Sequence, residues 1–387
     1  MSMIYSKRIQ NIPPYPFAEL DRKKKELRAQ GKDLIDLSIG DPDIPTPEPI
    51  VECMRAAVLK PEHHRYPPYV GTVKFKEAIA RWYMKRFGVK IDPQTEVLVL
   101  IGSKEGIANV HYAFVDPGDI VLVPTPGYPV YATATKFAGG LPYLMPLHKN
   151  RHFLPDLKLI PDNIAQKAKL MHLNYPNNPT AAVANETFFE EVVHFAKRHN
   201  IIVCHDAPYT EIYFDGHKPG SFLQTPRAKE VGVEFHSLSK TFNMTGWRLG
   251  FVVGNAEIIK GIAQIKMNID SGQFTAIQET GIYALENFEA LTPAIRNTYQ
   301  ERRDIFVEAL RKFGFKATPP SATFYIWSEI PAGQTSGVYA ARLLDQCGVV
   351  ATPGTVFGEA GEGFIRFSLT APKERLIEAA ERIKKIG

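Results

Sequence analysis

The sequence predicts an α/β fold, a mostly parallel sheet covered on both faces, followed by a smaller α+β unit. Three observations carry this. Short apolar runs alternate with amphipathic stretches from about residue 70 to about residue 280, the order expected of strands threaded through helices. Polar, chemistry-bearing residues follow the apolar runs, and open sheets of this kind bind ligands beyond the carboxyl ends of their strands. From Leu285 the pattern changes to a long charged helical stretch and then two strand-like runs.

In order along the chain, Arg22-Lys23-Lys24-Lys25 lies in a helical pattern and reads as a solvated basic face. Lys74 to Phe87 carries apolar residues at three- and four-residue spacing, a helix. Val97 to Leu100 is a strand, and Ile101-Gly102-Ser103-Lys104-Glu105-Gly106 ends it and opens the next helix. Ile120 to Val123 and Leu170 to Leu173 are further strands, and Glu186 to Arg198 is a helix by the same spacing. Ile201 to Cys204 is a buried strand that delivers Asp206 to its carboxyl end. Pro293 to Lys312 is a long helix, Ala322 to Trp327 and Gly363 to Leu369 are strands, and a helix closes the chain. No internal repeat or low-complexity tract is present.

The most informative segment is Ser237-Leu238-Ser239-Lys240, with Arg248 eight residues beyond the lysine. A lysine amine can form a Schiff base with the aldehyde of pyridoxal phosphate, and hydroxyls and an arginine can hold the phosphate by neutral and charge-assisted hydrogen bonds. Asp206, taken alone, caps the turn after its strand. Taken with Lys240, it is a buried carboxylate able to keep a pyridine nitrogen protonated, with Tyr209 three residues on as a donor to a phenolate oxygen. The amides that open the helix at Ser103 and Lys104 suit an anion.

These motifs, with Asn174-Tyr175-Pro176-Asn177-Asn178-Pro179-Thr180, resemble the fold-type I, pyridoxal-phosphate (PLP)-dependent class I/II aminotransferases. The resemblance runs over nearly the whole chain. It implies an aspartate aminotransferase-like fold: a large domain with a mostly parallel seven-stranded sheet at residues 46–284, an arm and part of a small domain at 1–45, and a small domain at 285–387. Asn178 then contacts the cofactor's phenolate oxygen, and Asn178–Pro179 is a candidate cis bond. Ala181 stands where the family has glycine, so positive φ is not expected there. Tyr128 matches the aromatic stacked on the cofactor ring, and Tyr66 a tyrosine that reaches the neighbouring subunit's phosphate, which implies a homodimer with active sites at the subunit interface. Arg366, in a strand pattern, matches the residue that binds the substrate α-carboxylate. Gly40 matches a glycine beside the substrate, and Tyr15 lies in a segment that swings over it.

The resemblance also implies ping-pong transfer of an amino group from an amino acid to 2-oxoglutarate, with Lys240 as anchor and then as the base at the α-carbon. Among such enzymes the motifs are most similar to LL-diaminopimelate aminotransferases of lysine biosynthesis, and alanine, aspartate or aromatic aminotransferases are alternatives. For a diaminopimelate donor, Tyr15 and Lys104 are candidates for the distal polar contacts. A carbon–sulfur β-lyase could use the same lysine, aspartate and arginine. A nucleotide-binding protein would leave Lys240, Asp206 and Tyr209 without a shared task. A regulator is disfavoured because no DNA-binding segment precedes the motifs.

Composition agrees with this reading. With 387 residues, more than one domain is expected, and 44% hydrophobic content is ordinary for a globular protein. No apolar run approaches the roughly 20 residues that cross a bilayer, and the N-terminus lacks a signal-peptide core, so no membrane association and a cytoplasmic location are expected. Cys53, Cys204 and Cys347 are scattered without metal-ligand spacing, which points to free thiols and no metal. A net charge of +5 is small for this length and argues against a nucleic-acid partner.

Overall fold

The structure, a computed structural model, describes residues 5–10, 12 and 18–386. In chain order its strands are Ile35–Asp36 (β1), Val97–Leu100 (β2), Ile120–Thr125 (β3), Leu141–Pro146 (β4), Ala168–Asn174 (β5), Ile202–Asp206 (β6), Gly232–Ser237 (β7), Gly250–Gly254 (β8), Tyr325–Glu329 (β9), Val349–Val350 (β10), Thr352–Pro353 (β11) and Phe364–Ser368 (β12). The main sheet has seven strands in the order β2-β8-β7-β6-β5-β3-β4, and only β8 runs antiparallel to its neighbours. The expected mostly parallel, seven-stranded α/β architecture is therefore present.

Alternation along the strands explains why both faces are covered. Val97 and Val99 of β2 join one apolar cluster, while Leu98 and Leu100 join the cluster on the other face. The helix Val73–Phe87 packs on the first face through Phe75, Ile79, Trp82 and Tyr83. Thr72 caps its start by accepting from the Phe75 N–H, and Gly88 ends it in the left-handed conformation at φ 68°. The helix Glu186–His199 is capped in the same manner by Asn185 and stopped by Asn200 at φ 56°. Ser103–Phe114 is different. Its N-cap is Gly102, with no side-chain cap, so the first-turn amides are open to another acceptor.

A third cluster joins Ile35 and Leu37 to Phe306, Phe324, Ile365, Phe367 and Leu376. There β9 and β12 pair antiparallel, β11 adds to β12, and β1 pairs in parallel with β10. Residues near the N-terminus are thus built into the C-terminal part of the molecule.

Several local expectations change. The long helix begins at Phe288, five residues before Pro293, because Phe288 is buried in the first cluster and the Thr292 hydroxyl donates to its carbonyl at 2.8 Å. The strand expected from Ala322 begins only at Tyr325. Lys24 is not on a solvated face: it is buried, with its amine 2.5 Å from Asp21 and 3.0 Å from Asp36. Arg22, in the same run, is exposed as expected. Ala181 takes φ 59°, against expectation. The Ala181 N–H donates to the Asn177 carbonyl and the Asn177 N–H to that of Ala182, both at 2.9 Å, and this tight turn requires the left-handed backbone. The Asn178–Pro179 bond is cis, as are Thr125–Pro126 and Tyr175–Pro176.

Candidate active site

A cavity of about 380 Å³ opens where the carboxyl ends of β2, β3, β5, β6 and β7 meet the start of β8. Six of these strand ends supply its residues for one reason: the parallel strands terminate at the same edge, and antiparallel β8 begins there. Of the residues singled out in the sequence, Gly40, Ser103, Lys104, Tyr128, Asn178, Asp206, Tyr209, Ser237, Ser239, Lys240, Arg248 and Arg366 line it together. Tyr66 does not; it is 85% exposed, on the molecule's surface. Tyr15 lies outside the described residues.

Lys240 sits in the one-turn helix Leu238–Thr241, directly after β7, with the Ser237 hydroxyl accepting from the Ser239 N–H at 3.2 Å. Its amine donates to the Gly40 carbonyl at 2.5 Å. Burial lowers its pKa to about 8; Asp41 opposes the shift, and the charges of Arg366 and Arg248 add to it. The result is an amine that is neutral in appreciable amount near physiological pH, as a nucleophile or a base must be.

At one end of the cavity lie Ser103, Ser237, Ser239 and Arg248. Arg248 adopts φ 55°, its backbone held by a hydrogen bond from Gln273 to its carbonyl. Gly102, at φ 105°, admits the guanidinium: a Cβ there would stand 2.4 Å from Arg248 Nη2. Hydroxyls, a guanidinium and the open helix amides together form an anion cup suited to a phosphate.

Asp206 ends β6 on the cavity floor. Tyr131, on the helix Val130–Phe137, donates to its Oδ2 at 2.7 Å, while Oδ1 is buried without a hydrogen-bond partner. Burial raises the carboxyl pKa to about 6, which the Tyr131 bond and the charge of His205 only partly offset. A protonated heterocyclic nitrogen at Oδ1 would remove that cost, so the residues present fit pyridoxal phosphate. The side chain of Asn174, the last residue of β5, donates to the Asp206 carbonyl at 2.7 Å and accepts from the Asn178 N–H at 2.8 Å, fixing the loop that presents Asn178.

Arg366, on β12, is buried rather than solvated. It donates to Asn178 Oδ1 at 2.7 Å and to the Ser38 carbonyl at 2.5 Å, and its guanidinium lies 4.3 Å from the Tyr325 ring centre and 4.7 Å from that of Phe357. Ser38, Asn174, Tyr325 and Phe357 were missed in the sequence. Asn174 carried a usable signal, since it ends its strand as Asp206 does. The others contribute through tertiary contact alone.

A strand-edge cavity with a buried, depressed-pKa lysine, an anion cup and an aspartate floor is the arrangement of one enzyme class. The chain belongs to the family of class I and II aminotransferases, whose model matches residues 32–383, and it is a pyridoxal-phosphate-dependent aminotransferase. It is 54% identical over 382 residues to the LL-diaminopimelate aminotransferase of Aquifex aeolicus, covering 99% of both chains. Among solved structures it is similar to substrate-bound BacF from Bacillus subtilis, with a TM-score of 0.96 at 40% identity over 100% of this chain and 98% of that one. A mutant of Thermus thermophilus aspartate aminotransferase superposes with a TM-score of 0.93 at 31% identity over the full length of both. Among the described residues no helix is long and apolar enough to cross a membrane.

Proposed function

We propose that this aminotransferase moves an amino group from LL-diaminopimelate to 2-oxoglutarate by a ping-pong mechanism, in lysine biosynthesis. The observation that carries the substrate is the end-to-end identity above one half with an enzyme named for that reaction. When bound, pyridoxal phosphate supplies an electron sink for the pair left on the substrate α-carbon.

In this reading Ser103, Ser237, Ser239 and Arg248 would hold the phosphate, Tyr128 would support the ring and Asp206 would keep the ring nitrogen protonated. Asn178 and Tyr209 would donate to the phenolate oxygen. Arg366 takes the substrate α-carboxylate, its guanidinium already oriented by Asn178 and Ser38. As a free amine, Lys240 Nζ would take the proton from the substrate α-carbon and pass it to the cofactor carbon that bears the substrate nitrogen. Tyr66 acts from a second copy of the chain; its exposure, with that of the large apolar side chains of Leu59 and Ile269, supports a homodimer. Tyr15 and Lys104 are the candidate distal contacts. Lys104 lines the cavity with its amine 5.7 Å from the Tyr128 ring centre.

The test is a comparison of kcat/KM for LL-diaminopimelate, alanine, aspartate and aromatic donors with 2-oxoglutarate. LL-diaminopimelate is expected to lead by about tenfold or more, since a site built for a second amino-acid end leaves polar groups unpaired with alanine. Parallel initial-rate lines are expected for two-step transfer. A lead for alanine assigns the chain to the alternative donor, and release of pyruvate, ammonia and a thiol from a cysteine conjugate assigns it to the β-lyases.

The lysine also predicts a pH dependence. Because its pKa is lowered to about 8, roughly a tenth of the amine is neutral at pH 7 and most of it above pH 9. Capture of pyridoxal phosphate by cofactor-free protein should therefore accelerate about tenfold between those values and level off, as followed by stopped-flow absorbance. A flat profile contradicts the role assigned to the amine.

A further inference from the structure

Tyr325 is buried at the start of β9 and touches three groups on different parts of the chain. Its hydroxyl lies 2.9 Å from the Tyr209 hydroxyl, and its ring faces the Arg366 guanidinium at 4.3 Å. Its hydroxyl also sits against Gly40, where an added Cβ would fall 1.9 Å away. The Gly40 carbonyl in turn accepts from the Lys240 amine at 2.5 Å.

Two phenols that share one hydrogen bond must divide it, one donating and the other accepting. Tyr209 lines the cavity, and its proton is available to a ligand there only when Tyr325 is the donor. The charge of Arg366 over the Tyr325 ring favours that direction, because a cation beside a phenol strengthens its O–H as a donor. We propose that Tyr325 is a positioning residue: its hydroxyl turns the Tyr209 proton into the cavity, and its ring seats the Arg366 guanidinium for a substrate carboxylate. The proposal rests on the pyridoxal phosphate reading above. It ties the donor at the cofactor oxygen to the carboxylate anchor through one side chain.

Hydroxyl and ring can be separated. Tyr325→Phe keeps the ring and removes the hydroxyl, so Tyr209 becomes a weaker donor. More negative charge then remains on the cofactor oxygen, which stabilises the protonated linkage at Lys240 Nζ. The pH midpoint of the visible absorbance of the reconstituted protein should move upward, in the direction given by Tyr209→Phe and by a smaller amount. Binding of 2-oxoglutarate to this form, titrated by the same absorbance, should stay within about twofold of wild type. Tyr325→Leu removes the ring as well and should weaken 2-oxoglutarate several-fold beyond Tyr325→Phe. An unshifted midpoint in Tyr325→Phe, or equal 2-oxoglutarate affinity in the two variants, overturns the proposal while wild type retains its chromophore. Loss of a lysine-dependent chromophore from reconstituted wild type overturns the cofactor reading and this inference with it.

Discussion

Lys240→Ala is expected to lower the transamination rate by at least about 10⁴-fold, the upper range for a single acid–base group, because the variant loses its base and its covalent anchor together. The visible chromophore that borohydride removes from wild type should be absent, while the anion cup formed by Ser103, Ser237, Ser239 and Arg248 still retains pyridoxal phosphate by its phosphate. The variant should also remain folded. Burial holds the Lys240 pKa near 8, below its ordinary value of 10.5, so below pH 8 the folded protein carries a buried ammonium that the unfolded chain would solvate. That penalty declines as pH rises from about 8 toward 10.5, and alanine removes it. At pH 7 the thermal midpoint of the cofactor-free variant should therefore not fall. Single-turnover kinetics with normal product formation would sink the mechanism, whatever the stability.

Asp206→Ala is expected to slow α-proton removal by about 10²–10³-fold, the scale seen when one preorganised partner of developing charge is lost. Phosphate-driven cofactor affinity should fall much less, since the anion cup lies on other strands. The carboxyl is raised to about 6 by burial, so in cofactor-free protein its ionised form is penalised at neutral pH. By linkage, that penalty grows from the ordinary carboxylate range up through pH 6, and a protonated nitrogen at Oδ1 offsets it. Cofactor binding should consequently stabilise wild type more than Asp206→Ala at pH 7, measured as the difference in melting temperature with and without pyridoxal phosphate. An unchanged proton-transfer rate in the variant would remove Asp206 from its assigned role.

The contrast between these residues and Tyr325 shows why part of the site was readable in the chain. Lys240, Asp206, Ser103 and Asn178 each follow an apolar run, and in a parallel sheet every such run must deliver its following residue to the same edge. Their convergence is a consequence of strand direction, which hydrophobic patterning reports. Ser38, Tyr325 and Phe357 reach the cavity from segments outside that sheet, so no local pattern marks them.

By itself, then, the sequence determined the α/β class, several of the central strands and helices and most of the residues that line the cavity, because these depend on period, local chemistry and strand polarity. Tertiary structure alone decided matters that depend on what a side chain meets across the fold. Arg366 in its strand looks the same whether solvated or buried, and only packing against Tyr325, Phe357 and Asn178 buries and orients its guanidinium at the cavity. Lys24 sits in a basic run, yet Asp21 and Asp36 draw it inward. Ala181 takes a left-handed backbone that its own preference opposes, because two hydrogen bonds of the Asn177–Ala182 turn outweigh it. For Arg366 the partners lie far along the chain, whereas for Lys24 and Ala181 it is the folded path of the chain that brings Asp36 and the Asn177 and Ala182 groups into place, and in each case the contacts formed override the local preference.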